Sequence, residues 1–199
     1  ELYLVFNLML TGRLVVDRGK KPNTVVRIGF SSGRNLVFAD FKKMGKIYVT
    51  DKLEKVPQYS ILGVEPLSDD FTLQVFRALL KDPREIKIVL TDQKVIAGIG
   101  NAYVDEILFH ARLNPGKKAD SLTDEEIATL YESIDYILEK GMQEIERKLE
   151  DTSEEIRDFF SVHGKKGELC PVCGSVIREI EIEKRVTNIC PKCQKIKFP

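Results

Sequence analysis

Residues 170–193 read CPVCGSVIREIEIEKRVTNICPKC, and this stretch determines how the C-terminal part of the chain can fold. Two Cys-x2-Cys pairs, separated by a sixteen-residue spacer, have the spacing of a tetrahedral zinc site. Two disulfides are the alternative, but every cysteine of the chain belongs to this one motif, which favours zinc and a reducing compartment. The sequence therefore predicts one structural Zn²⁺ held by Cys170, Cys173, Cys190 and Cys193.

The spacer between the two cysteine pairs is rich in β-branched residues and predicts a β-hairpin. Gly174, directly after the first pair, supplies the permissive backbone that a metal knuckle needs. Residues 161–199 carry eight basic and four acidic side chains, a net charge of +4, although the whole chain has 31 of each sign. This asymmetry favours a polyanion contact at the C-terminal end, the alternative being an ordinary solvated surface.

The rest of the chain divides into a strand-rich part and a helical part. Residues 1–10 are apolar on both alternating faces, which predicts a strand covered on both sides in a sandwich. From Ser68 the apolar period becomes helical, with Ser68-Asp69-Asp70 expected to cap the first helix, and a long amphipathic block follows Leu122. The fold class is therefore α+β. The chain has no run of eighteen apolar residues, so no membrane span is expected.

A glycine-rich turn lies before one of the predicted helices, at residues 98–101. Backbone N–H groups at such a turn can bind an anion, and the Asn101 amide could add a donor. In isolation this motif is weak, because a helix boundary alone can require glycine.

In its surroundings, the turn resembles the helix–two-turns–helix segment of formamidopyrimidine-DNA glycosylases, the Fpg/Nei family. The resemblance rests on DQKVIAGIGNAYVDEIL at residues 92–108, on LGVEPLSDDF at 62–71, similar to the family's interdomain linker, and on RVTNICPKCQ at 185–194, similar to its zinc-finger tail. It implies three domains: a partial antiparallel β-sandwich (1–60), a helix–two-turns–helix DNA-binding domain (61–160) and a zinc-finger hairpin (161–199).

The resemblance further implies a monomeric glycosylase and AP lyase that acts on oxidised bases in damaged double-stranded DNA, in the cytoplasm and associated with the nucleoid. Such an enzyme flips the base out and forms a Schiff base with an N-terminal proline amine, helped by a glutamate and a lysine. By resemblance, Gly100 and Asn101 grip a backbone phosphate with Lys87 close by. Arg185 grips the phosphates around the flipped nucleotide and aids the final elimination.

Several positions depart from the family pattern. The catalytic proline, glutamate and lysine have no counterparts, so the sandwich is expected to be incomplete and the nucleophile missing. Leu10 replaces a methionine wedge, and Lys42 and Lys43 replace two arginines that contact DNA. His163 stands where the family usually has tyrosine, and we expect a surface ring without a role.

Two interpretations remain open. The chain is either a fragment of a glycosylase or a non-catalytic, zinc-dependent DNA-binding module derived from that family. The charged run at residues 143–158, which replaces the family's glycine-rich lid, favours the second interpretation, and the incomplete sandwich favours the first.

Overall fold

The structure, a computed structural model, describes residues 1–17, 22–148 and 156–196. It contains two compact units. Glu1–Ser60 belong to the first, called the strand unit here; Ile61–Arg147 and the chain from Arg157 onward form the second, called the helix–finger unit. The domain boundary expected between residues 160 and 161 stays a prediction. Residues 149–155 of the charged run lie outside the described residues.

The strand unit is built from two antiparallel sheets. In one, β1 (Tyr3–Asn7) pairs with β5 (Lys46–Thr50); in the other, β4 (Asn35–Asp40) lies between β2 (Gly12–Asp17) and β3 (Thr24–Gly29). The rings of Phe6 and Phe38 lie 5.7 Å apart and connect the two sheets. The predicted antiparallel sandwich and the α+β class are confirmed.

The strand expected within residues 1–10 is observed over Tyr3–Asn7, without the cover on both faces of which its apolar pattern is typical. β1 spans five residues, and β5 is its one partner strand among the described residues. Leu4, within β1, is 43% exposed, and none of its five residues is fully buried. The buried apolar side chains of this unit, Val15, Val37, Phe38 and Val56, come mainly from β2 and β4.

Among the described residues, four α-helices carry the core of the helix–finger unit: α1 (Leu73–Leu79), α2 (Ile86–Thr91), α3 (Asn101–His110) and α4 (Asp124–Lys148). Their apolar faces meet in one cluster in which Phe76, Ile86, Leu90, Ile107 and Leu130 are almost fully buried. α1 is capped by Thr72, whose hydroxyl accepts from the Val75 N–H, and not by Ser68 as predicted. The Ser68 hydroxyl instead donates to the Glu65 carbonyl within a preceding turn.

The C-terminal hairpin consists of β6 (Arg178–Ile182) and β7 (Arg185–Ile189), so the predicted hairpin is confirmed. A second apolar cluster packs it against α3: Phe109, Val162, Cys170, Ile177 and Cys190. The finger is therefore part of the same packed body as the helices. In the part of the chain that the structure describes, no helix is both long and apolar enough to cross a membrane.

Candidate nucleic-acid interface and metal centre

The four cysteines converge on one point. Their Sγ atoms all lie within 4.8 Å of one another, and none forms a disulfide. The Sγ atoms of Cys170 and Cys193 are 3.8 Å apart, and those of Cys173 and Cys190 are 3.4 Å apart. Thiolates bound at about 2.3 Å to the corners of a zinc tetrahedron lie about 3.8 Å from one another. The cluster fits one structural Zn²⁺, as predicted from the spacing.

The chemistry of the thiols also suits a cation. Burial raises the pKa of Cys190 and of Cys193, whereas hydrogen bonds with Ser175 lower the pKa of Cys173 to about 6. A Zn²⁺ ion deprotonates its thiols, so it would stabilise the charged forms that burial opposes. Gly174 has a φ of +71°, which confirms why glycine follows the first pair.

Gln194 holds the second knuckle in place, a role that the sequence analysis missed. Its Oε1 accepts from the Cys190 N–H at 2.9 Å, and its Nε2 donates to the Leu113 carbonyl at 2.9 Å. The side chain is 1% exposed. A buried amide thus ties a metal ligand to the loop that follows α3.

The glycine-rich turn is held open by Gln93. Its Oε1 accepts from the Gly98 N–H at 2.8 Å, and its Nε2 donates to the Ile99 carbonyl at 3.0 Å. Gly98 has a φ of +85°, and no heavy atom lies within 4 Å of the position that a Cβ on Gly100 would take. Gly100 is the N-cap of α3 and provides no side-chain cap. The backbone at the start of α3 is therefore open to close approach by a ligand.

Arg185 begins β7, directly after a two-residue turn in which Glu183 and Lys184 both have positive φ. Such a turn matches the twist of the flanking strands. The Arg185 guanidinium donates to the Thr91 hydroxyl at the end of α2. The next residue offers its carbonyl to Asn101, whose Nδ2 lies 3.0 Å from Val186 O. Asn101 Oδ1 is buried and has no hydrogen-bond partner among the described residues.

Lys87, the third residue expected near the phosphate, is buried between α3 and β7. Its side chain is fully buried, and Nζ donates to Asp105 Oδ1 at 2.7 Å, to Thr187 Oγ1 at 2.8 Å and to Val186 O at 3.1 Å. Burial lowers the pKa of Lys87, and the attraction of Asp105 opposes that shift. Lys87 thus supports the backbone beside Arg185 and Asn101 in this arrangement, and its expected closeness to a bound phosphate stays a prediction.

Two adjacent acidic residues of α3 join the helix to the finger, and the sequence analysis missed both. Glu106 accepts three backbone N–H groups, from Ser161 at 2.7 Å and from Val162 and His163 at 2.8 Å. Asp105 Oδ2 accepts from the Asn188 N–H at 3.1 Å and contacts His163 Nδ1 at 2.8 Å. Two carboxylates in an otherwise apolar helix were the available signal, since buried charges need partners.

His163 is not a surface ring without a role. Its side chain is 16% exposed, bonded to Asp105 and set edge-on against Phe160. The expectation for this position was wrong because the partner carboxylate lies 58 residues away in the chain.

The strand unit presents the other predicted DNA-contacting residues on two neighbouring turns. Leu10 is 74% exposed, and Lys42 and Lys43 are exposed. Asp40, 1% exposed, joins the turns: Oδ1 accepts from the Thr11 hydroxyl, and Oδ2 accepts from the Gly45 N–H at 2.7 Å. These hydrogen bonds, that of Thr11 first, lower the pKa of Asp40.

Next to the second turn lies an open recess of about 850 Å³. It is lined by Asn23, Thr24, Val25, Arg27, Asp40, Lys43 and Gly45.

Comparison with known proteins gives a consistent result. Residues 62–153 match the formamidopyrimidine-DNA glycosylase H2TH domain, and residues 167–196 match a zinc finger found in FPG and IleRS. The formamidopyrimidine-DNA glycosylase of Pelotomaculum thermopropionicum is 37% identical over 206 residues, which cover 98% of this chain and 75% of that protein. The protein of that name from Protochlamydia amoebophila is 34% identical over 209 residues, with the same shares covered.

Solved structures agree. A complex between the Lactococcus lactis Fpg and DNA containing an abasic site superposes with a TM-score of 0.83 at 30% identity. MutM in complex with DNA containing carbocyclic 8-oxo-G gives a TM-score of 0.85 at 31% identity. Each comparison covers 98% of this chain and 75% of the other.

Proposed function

The chain belongs to the formamidopyrimidine-DNA glycosylase family, and on that premise we propose that it grips damaged duplex DNA for base-excision repair. The observation that most supports this is the convergence of two predicted phosphate-binding side chains on one strand. Asn101 is bonded to the carbonyl of residue 186, and Arg185 directly precedes that residue. The helix turn and the hairpin tip thus form one surface within a single packed unit.

The chemistry of this surface suits a phosphodiester. The uncapped first turn of α3 offers backbone N–H groups and the positive end of the helix dipole. Arg185 can bind two phosphate oxygens through its fork and stays charged at any working pH. Asn101 Oδ1 already lacks a partner, so turning the amide towards a phosphate sacrifices only the Nδ2 hydrogen bond to Val186. Only this one hydrogen bond has to be broken before the Asn101 amide can contact a phosphate.

In the strand unit, we assign Leu10 to the gap that a flipped base leaves in the duplex, because an exposed apolar side chain on a tight turn can enter a base stack. Lys42 and Lys43 then supply positive charge to the neighbouring phosphates. Their ammonium groups cannot bind two phosphate oxygens at once as the arginine fork does. They therefore contribute electrostatic attraction to DNA binding more than a defined contact geometry.

The proposed reaction is excision of an oxidised base through a flipped nucleotide and a Schiff base, followed by strand cleavage. We assign Arg185 to the elimination step, where its charge stabilises the departing phosphate. The amine nucleophile is not assigned to any of residues 1–199, because none of them matches the proline, glutamate or lysine of the family pattern. We further propose a monomer that works on chromosomal DNA in the cytoplasm.

DNA binding is tested by fluorescence anisotropy with a duplex that contains a tetrahydrofuran abasic analogue. Arg185→Ala and Asn101→Ala should each weaken binding, and loss of the arginine contact should reduce the slope of log K against log salt by about 0.9. Lys192→Ala removes one exposed charge from the same finger and is the matched control. Wild-type affinity in both site variants would refute the proposal.

Borohydride trapping on an abasic duplex tests the catalytic part separately. A covalent adduct would show that an amine of residues 1–199 is placed for imine chemistry. Duplex binding without an adduct would instead favour the second interpretation for these residues, a zinc-dependent DNA-binding module without its own nucleophile.

A further inference from the structure

The ring of His163 is bonded so that only one of its nitrogens can titrate. Asp105 receives two obligatory donors, the Lys87 ammonium on Oδ1 and the Asn188 N–H on Oδ2, and its side chain is fully buried. His163 Nδ1, 2.8 Å from Oδ2, therefore acts as a donor and carries the hydrogen. No hydrogen-bond partner is described for Nε2, and the side chain is 16% exposed, so Nε2 is the nitrogen at which the ring can accept a proton.

From His163 a continuous series of contacts leads to the proposed DNA-binding residues. Asp105 bonds Lys87, and the Lys87 ammonium and the Asn101 amide share the Val186 carbonyl. The segment after His163 is also fixed to β7 directly, because the Gly164 N–H donates to Asn188 Oδ1 at 2.6 Å. Arg185 is three residues before Asn188 on the same strand.

We propose that His163 is a positioning residue whose protonation strengthens the grip of this surface on duplex DNA, so that binding takes up a proton. With His163 neutral, Asp105 and Lys87 form a pair of zero net charge; with Nε2 protonated, the three groups carry a net charge of +1. A polyanion at Asn101 and Arg185 stabilises the charged form, so by linkage the affinity rises as the pH falls. This inference rests on the proposed DNA-binding function.

The other charged groups around the ring leave this sign unchanged. On α3, Glu106 is occupied by three backbone N–H groups, including that of His163. On the ring's own segment, Lys165 lies 3.5 Å from Glu168 and is balanced by it. On β7, the Arg185 charge acts on Lys87 and is the group that DNA would neutralise. Phosphate binding therefore removes a repulsion as well as adding an attraction.

The test measures the dissociation constant for the tetrahydrofuran duplex between pH 6.0 and 8.5 at constant salt, with zinc content monitored. The wild type should bind on the order of threefold to fivefold more tightly at pH 6 than at pH 8. His163→Asn keeps an N–H donor for Asp105 but cannot titrate, and this part of the pH dependence should disappear. His163→Tyr supplies a hydroxyl donor and should behave like His163→Asn.

The chain has only two histidines, which makes the control direct. His110→Asn removes the other one, which contacts Ser133 and Tyr136, and should leave the pH dependence as in the wild type. Equal pH dependence in the wild type and both His163 variants would overturn this inference alone. A wild type that does not bind the duplex at any pH would overturn the proposed function and the inference with it.

Discussion

Two buried aspartates support the predicted DNA-contacting residues of the two units, and they do so differently. The Asp105 and Lys87 side chains are fully buried, and Asp105 also bonds the ring of His163 and the backbone of β7. Asp40 joins two turns of a unit in which, among described residues, only four apolar side chains are buried. The contacts of Asp105 connect several elements of the helix–finger unit, whereas those of Asp40 stay local to the strand unit. Mutations of the two aspartates should therefore have different effects.

This difference arises because different interactions stabilise the folded state of each unit. In the helix–finger unit, the zinc site, a buried ion pair and the second apolar cluster all fix β7 or the residue that follows it. In the strand unit, large apolar side chains such as Leu4, Phe41 and Val49 remain exposed, so less burial stabilises the turns. A perturbation of the first unit should therefore spread through its contacts, whereas one in the second should stay local.

Of the changes proposed here, zinc removal should have the largest effect on stability and DNA binding. It should affect the helix–finger unit and leave the strand unit folded. Structural zinc contributes about 10–16 kcal/mol to the folding of small fingers, comparable with or larger than the whole stability of a typical domain. After chelation, the amides of β6 and β7 should lose protection from hydrogen exchange, and DNA affinity should fall to a non-specific level, roughly 10⁻⁴–10⁻⁶ M. Amides of β4 should keep their protection. Retained protection in β7 would show that zinc is not needed for the hairpin.

Asp105→Ala should be the next largest perturbation. It leaves the Lys87 ammonium buried without its counter-ion, and such a change destabilises a protein by about 3–5 kcal/mol. Adding Lys87→Met should restore part of that stability, because no uncompensated charge then remains. Urea titration followed by NMR signals of α3 measures both. If the double variant is no more stable than Asp105→Ala, the loss does not come from the unpaired lysine.

Local patterns predict the parts of this molecule whose chemistry is contained in a few adjacent residues. The cysteine spacing predicts the metal centre, the β-branched spacer predicts the hairpin, and two glycines predict an open turn before α3. In each case the physical requirement acts over a short stretch of chain, so the sequence alone carries it.

Long-range pairing accounts for most of what was not predicted. Lys87 and Thr187 are 100 residues apart, and His163 and Asp105 are 58 apart, so no periodicity or spacing relates them. The family resemblance predicts Lys87 near phosphate, and only the structure shows the three acceptors that hold its ammonium group within the chain. Ser68 has the residue type of a helix cap, and a competing turn at Glu65 explains why Thr72 takes that position.

Two glycines of the same turn allow binding and folding to be separated. A Cβ on Gly100 meets no atom within 4 Å, and its backbone is extended, so Gly100→Ala should fold normally. The added methyl group should nevertheless obstruct a phosphate and weaken binding by about tenfold, or 1.4 kcal/mol. Gly98→Ala instead strains a residue with a φ of +85° and should lower stability by about 1 kcal/mol. Thermal unfolding and anisotropy distinguish them; unchanged affinity in Gly100→Ala would exclude a close backbone contact.

Substitution of Asp40 should have the smallest effect on stability. The effect should be confined to the strand unit and to acidic pH. The folded pKa of Asp40 lies below the ordinary value of about 3.9, so its contribution to stability is present above that pH and is lost as the pH falls through the folded pKa. Asp40→Asn should therefore flatten the loss of stability below about pH 4, moving the acid midpoint by less than about one pH unit. Urea titrations at pH 7 and pH 3, followed by NMR signals of β2 and β4, measure this.

Asp51→Asn is the matched control for that change, because its carboxylate is 60% exposed and, in the described part of the chain, pairs with the Lys55 side chain four residues later. It should leave the acid dependence unchanged, since an exposed pair contributes little. The same Asp40→Asn sample should keep normal hydrogen exchange in β7, because the hydrogen bonds described for Asp40, to Thr11, Gly45 and the Asn23 carbonyl, all stay within the strand unit. If β7 also loses protection, the two aspartates are coupled, and the division into one extensively linked unit and one locally linked unit would have to be abandoned.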